Sequence, residues 1–137
     1  MGLFDFFKSS KKEEVRSIVN IIGKFTFIEF DGTKNYKGLI DSKINNAIEV
    51  LFPVNENEIS DYQTEYYKKI EVNWNLISNQ LKEQDPQINI ENYKVKNILI
   101  PDKNHKCYDM DAEIVLQDKS NIISIILKDL TVDEVIY

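Results

Sequence analysis

One cysteine (Cys107), one histidine (His105) and one arginine (Arg16) are all that 137 residues supply of the side chains most used in metal, redox and phosphate chemistry. A single cysteine excludes an internal disulfide, and with a single histidine it excludes a four-ligand Cys/His zinc site within one chain. The four glycines, Gly2, Gly23, Gly32 and Gly38, are scattered, so there is no glycine-rich loop to cradle a nucleotide phosphate. Arginine forks, the usual tools for bidentate phosphate and base contacts, are reduced to the one at Arg16. No apolar run approaches the ~18 residues of a membrane-spanning helix.

What remains is the composition of one folded domain. Hydrophobic residues make up 42% and charged residues 29%, which excludes a disordered chain. The length suits one domain with a core of its own. The bulk of 20 Ile, 16 Lys and 14 Asn against only 2 Ala follows AT-rich codons and points to an AT-rich, bacterial genome. Net charge is −6, and it is unevenly placed: −1 over residues 1–69 and −5 over residues 70–137. An acidic chain poor in arginine is not expected to bind nucleic acid.

At the amino terminus Leu3, Phe4, Phe6 and Phe7 precede Lys8, Lys11, Lys12, Glu13 and Glu14, an order opposite to that of a signal peptide. Gly2 lacks the Ser or Thr that a myristoylation motif needs, because Phe6 occupies that position. Residues 1–22 therefore read as a short N-terminal helix or tail, and 23–137 as a single domain.

From Lys24 apolar residues recur every second position, the mark of a strand. Lys24–Phe30 and Tyr36–Asp41 flank the turn residues Asp31-Gly32-Thr33-Lys34-Asn35, and Ala47–Val54 forms a third strand that must end, or lie at an edge, at Pro53. Between Glu58 and Glu83 the period changes. Ile59, Tyr62, Tyr66, Ile70, Trp74, Ile77 and Leu81 are spaced for one long amphipathic helix, capped by Asn57 or Ser60 and closed by Asp85-Pro86. Tyr93–Ile100, Cys107–Gln117, Ile122–Leu127 and Val132–Tyr137 then return to strand character. The expected fold is α+β: a mainly antiparallel sheet of six to seven strands in the order βββ-α-βββ(β), with the helix packed on one face and no crossover helix.

Few residues suggest chemistry. His105 and Cys107 would share a strand face, which makes a Cys/His dyad geometrically conceivable, but a loop histidine beside a small cysteine is the commoner meaning of such spacing. Asp31–Asn35 offers one carboxylate and reads as a turn, not a calcium loop. No catalytic, cofactor-binding or metal-binding residue is therefore assigned. Two surfaces suggest a protein partner. Tyr67 departs from the apolar stripe of the helix and is a candidate aromatic anchor. Asp109, Asp111 and Glu113 would line the outward face of the strand from Cys107, either guarding an edge or docking a basic partner.

The opening Met1-Gly2-Leu3-Phe4-Asp5-Phe6-Phe7-Lys8, the strand Gly23–Phe27 running into a turn, the second strand around Tyr36–Ile40, the long helix ending near Leu81 and the closing strands resemble, in layout, a set of small bacterial proteins suggested to be immunity proteins of polymorphic toxin systems. The resemblance covers most of the chain and carries over no functional residue. It implies a cytoplasmic, non-enzymatic protein that neutralises a toxin by binding it, and the acidic balance suits a basic toxin domain as partner. A homodimer is compatible with the same reading. The alternative from another class is a small enzyme or ligand-binding domain with a pocket between helix and sheet.

Overall fold

The computed structural model describes residues 16–137. Eight strands form one sheet in strict chain order: β1 (Arg16–Asn20), β2 (Gly23–Phe30), β3 (Thr33–Asp41), β4 (Ala47–Pro53), β5 (Lys94–Leu99), β6 (Ala112–Asp118), β7 (Asn121–Lys128) and β8 (Thr131–Ile136). Two helices, α1 (Asp61–Val72) and α2 (Trp74–Gln84), lie between β4 and β5, followed by a short 3₁₀ turn at Ile90–Asn92.

The α+β class and the mostly antiparallel sheet are as expected, but the order is four strands, two helices, four strands. The additional strand is β1, which pairs with β2 from Arg16 against Phe27 to Asn20 against Gly23 and so claims part of the 1–22 stretch expected to be helix or tail. Residues 1–15, which hold Gly2 and the apolar cluster from Leu3 to Phe7, lie outside the described residues. The expectation of no crossover helix is overturned too. β4 and β5 run parallel, Glu49 opposite Asn97 and Leu51 opposite Leu99, and parallel neighbours need a long connection, which the two helices provide. Each flanking set of four strands is an antiparallel meander, with short turns except for the longer 100–111 loop between β5 and β6. Pro53 is the last residue of β4, so this proline ends an interior strand.

The expected long helix is divided at Asn73 (φ −100°, ψ 13°), whose side chain donates to the Lys69 carbonyl at 2.8 Å. Asn competes for backbone groups in this way, which disfavours it inside a helix. Ser60 is the N-cap: its hydroxyl accepts from the Gln63 N–H while the Gln63 amide accepts from the Ser60 N–H, a complete capping box. On the exposed face of α1 Glu65 pairs with Lys68 at 3.7 Å.

Alternate residues of the strands meet the helices in one core. Phe25, Tyr36, Ile48, Val50, Phe52, Ile98, Ile114 and Ile125 from the sheet pack with Tyr66, Tyr67, Ile70, Ile77 and Leu81 from the helices. Where backbone pairing runs out, side-chain amides complete it. Asn45 donates to the Val95 carbonyl at 3.1 Å and accepts from its N–H at 3.0 Å, just before β4 begins. Gln63, fully buried, donates to the carbonyls of Pro53 (2.8 Å), the last residue of β4, and Ile100 (2.9 Å), the residue after β5. At the sheet edge Gln80 accepts from the Val132 N–H at 2.8 Å and Gln84 donates to its carbonyl at 3.0 Å, so α2 covers part of β8.

Candidate functional site

Of the four residues expected to meet a partner, the structure keeps only some at the surface. Tyr67 is 1% exposed; its ring is part of the core and its hydroxyl donates to Glu71 Oε2 at 3.0 Å. It cannot anchor a partner. The helical stripe therefore includes Tyr67, while Tyr62 and Trp74, assigned to the core by spacing, are only half-buried. The acidic strand face is also corrected. β6 begins at Ala112, five residues later than the alternation from Cys107 suggests, so Asp109 and Asp111 belong to the preceding loop. That loop folds on turn hydrogen bonds such as His105 N–H to the Asp102 carbonyl at 3.2 Å, which interrupt the extended geometry. Glu113 stands on the sheet face away from the helices, because its neighbours Ala112 and Ile114 enter the core. The three carboxylates thus do not form one stripe, and Lys128 on the neighbouring strand β7 lies 4.0 Å from Asp133.

The fold gathers a different group at the same end of the sheet. The start of α1, the loop 101–111 and the β7–β8 turn converge there. Asp102 Oδ1 accepts from the Ser60 hydroxyl at 2.8 Å and the Lys103 N–H at 2.8 Å, which ties the loop to the helix cap. Asp111 Oδ2 accepts from the Asp129 N–H at 2.7 Å, and the Tyr66 hydroxyl accepts from the Leu130 N–H at 3.1 Å. Asp129 and Leu130 have φ of 51° and 61°, unusual values for residues with a β-carbon, so these two bonds hold a turn that is strained on its own.

Over this framework lie Tyr62 and Tyr66, ring centroids 5.9 Å apart. Burial, and then the negative charges of Asp111, Asp129 and Asp102, raise the Tyr62 hydroxyl above its ordinary pKa. Tyr66 is raised further, mainly by burial. The result is a half-exposed tyrosine with the carboxylates of Asp102, Asp111 and Asp129 around it, while Asp109 stands exposed on the same loop as Lys103 and Lys106. Among the described residues none of Asp102, Asp109, Asp111 and Asp129 is in an ion pair. Asp102 and Asp129 escaped the sequence reading, and Tyr62 was assigned to the core, because the three lie on separate elements and share no motif.

The Cys/His dyad does not form. His105 Nδ1 accepts the Cys107 backbone N–H at 3.1 Å, so that nitrogen is committed to the turn, and the Cys107 side chain is exposed. Among the described residues no group of His, Cys, Asp and Glu is arranged to hold a metal ion, and no helix is long and apolar enough to cross a membrane. No protein-family model matches the chain, and no curated protein or solved structure is significantly similar to it.

Proposed function

We propose that this chain is a non-enzymatic protein-binding protein, of the toxin-neutralising immunity kind, acting in the cytoplasm on a basic protein partner. The observation that carries this reading is the half-exposed Tyr62 surrounded by the carboxylates of Asp102, Asp111 and Asp129. Tyrosine combines a large rigid contact area with a polar tip, and unpaired carboxylates around it attract a cationic surface while raising the encounter rate. Asp109 and Asp111 keep their place in the proposed surface; Glu113, on the opposite face of the sheet, and the buried Tyr67 do not.

The test compares the wild-type chain with the double variant Asp109→Asn, Asp129→Asn, and separately with Tyr62→Ala, as immobilised baits for proteins of the native host. Neither Asp109 nor Asp129 accepts a hydrogen bond through its carboxylate among those of the described residues, so the double variant should fold; Tyr62 packs partly against the core, and circular dichroism checks the fold of Tyr62→Ala. A basic protein retained by the wild type should associate more slowly with the double variant. Its affinity for the wild type should fall with salt as the Debye length contracts from ~10 Å at 0.1 M to ~3 Å at 1 M. Equal capture by all three baits at all salt concentrations would remove this surface from the interface.

A further inference from the structure

At the opposite end of α1 the side chains form a second site, independent of the proposed partner surface. A pocket of about 390 Å³ opens between the β1–β2 turn, the end of β3 and the last turn of α1. This is the low end of the range that holds small ligands. Its apolar wall comes from Ile40, which is buried, and from Ile21 and Val72, which are 77% and 83% exposed. Two of the most exposed aliphatic side chains of the described chain therefore frame one pocket, where a ligand would remove them from water.

The polar wall is built around Glu71. Its Oε2 accepts three hydrogen bonds, from the Ser42 hydroxyl at 2.9 Å, the Lys43 N–H at 3.0 Å and the Tyr67 hydroxyl at 3.0 Å. Three donors from two elements fix the carboxylate in position without saturating it, because Oε1 has no donor among the described residues. A carboxylate held in this way needs no reorganisation to accept from a ligand. Charge then selects the ligand. Asp41 and Lys43 also line the pocket with no ion-pair partner among the described residues, whereas the Lys68 ammonium is engaged by Glu65 at 3.7 Å. The uncommitted groups are two carboxylates and one ammonium, which favours a cation.

We infer that this pocket binds a small primary alkylammonium ligand, its ammonium donating to Glu71 Oε1 and its aliphatic body lying against Ile21, Ile40 and Val72. The head supplies the donors that Glu71 lacks, and a body of a few carbons fits the volume.

The experiment is a titration of the full-length chain with n-propylammonium at neutral pH, followed by amide chemical shifts, with n-propanol as the uncharged isostere. Saturable shifts confined to residues around Ile21, Lys43 and Glu71–Val72 are expected with the amine, at least tenfold weaker with the alcohol. Glu71→Gln should weaken amine binding at least tenfold. Val72→Ser, which alters an exposed side chain outside the hydrogen-bond network, should weaken it severalfold with the spectrum otherwise unchanged. Equal binding of amine and alcohol, unaltered binding in Val72→Ser, or no saturable shift in the wild type would each overturn the assignment.

Discussion

Replacing Gln63 by leucine tests how far the architecture depends on one amide. The side chain is fully buried, and its Nε2 bridges the Pro53 and Ile100 carbonyls at 2.8 and 2.9 Å while its Oε1 accepts the Ser60 N–H at 3.1 Å. Leucine has a similar volume, so the loss should come from unmade hydrogen bonds and not from a cavity. The Pro53 carbonyl keeps a second donor, the Asp102 N–H at 2.9 Å, and should suffer little. The Ile100 carbonyl loses its side-chain donor, at about 1–3 kcal/mol for a buried unsatisfied group. Half of the capping box goes with it, worth about 1 kcal/mol. The expected destabilisation is thus about 2–4 kcal/mol, a large share of the ~5–15 kcal/mol that holds a domain folded. Urea denaturation followed by circular dichroism measures it as a lower midpoint at unchanged slope. Glu at position 63 gives the control. An ionised carboxylate cannot donate to two carbonyls, so Gln63→Glu should be worse than leucine at neutral pH. It should recover on acidification, because the fold favours the protonated form and the penalty disappears as the group binds its proton. A leucine variant within ~0.5 kcal/mol of wild type, the scatter expected of an inconsequential surface change, would refute the reasoning.

Gly38→Ala should be net destabilising despite the ~0.4–1 kcal/mol that alanine contributes through the unfolded chain's entropy, since a β-carbon there would lie 2.5 Å from the Lys24 carbonyl oxygen and 2.9 Å from the Phe25 ring; thermal denaturation would show it. Asp111→Ala should cost about 1–2 kcal/mol by releasing the Asp129 N–H from a charge-assisted bond, whereas Asp109→Ala should be silent in the same melt. Tyr66 and Tyr67 are both raised above the ordinary tyrosine value, chiefly by burial. The folded state therefore holds protons that the unfolded chain releases above pH ~10. That stabilisation of the fold is intact below this pH and lost progressively above it, by up to ~1.4 kcal/mol per pH unit for each residue; denaturation midpoints across the alkaline range would reveal it. The double variant Gln80→Ala, Gln84→Ala should expose the Val132 backbone groups and raise self-association, read by light scattering.

Strand identity was legible wherever apolar residues alternate beside turn chemistry. Gly23–Phe30 and Asn121–Lys128 lie within a residue of their expected limits, whereas β3 starts at Thr33, three residues before the expected Tyr36, because the turn needs only Asp31-Gly32. The turn at Asp31-Gly32, with φ of 51° and 78°, is the left-handed pair that such a dipeptide favours. Three features were not legible, each for a physical reason. Alternation continues from Cys107 into the loop, but local turn hydrogen bonds overrule it until Ala112. A parallel junction depends on which strands meet after the helices, and no local pattern encodes that. The helical spacing of Tyr62, Tyr66 and Trp74 misplaced Tyr67 because the buried stripe is wide enough to include both Tyr66 and Tyr67. The candidate sites were the least legible. Asp102 with Asp129, and Ser42 with Glu71, meet only through the fold.

The parallel seam between β4 and β5 has a consequence for how the chain assembles. On either side of it every strand pairs with its sequence neighbour, so each four-stranded half closes local loops, the longest being 100–111, and bears a smaller entropic penalty than the seam. The seam joins residues almost fifty positions apart through three register pairs, with Asn45 and Gln63 reinforcing its two ends. The two halves should therefore behave as separate foldons, and the seam should be the last contact to form and the first to open. In native-state hydrogen exchange, the amides that cross it should exchange through a lower-energy opening than those inside either half.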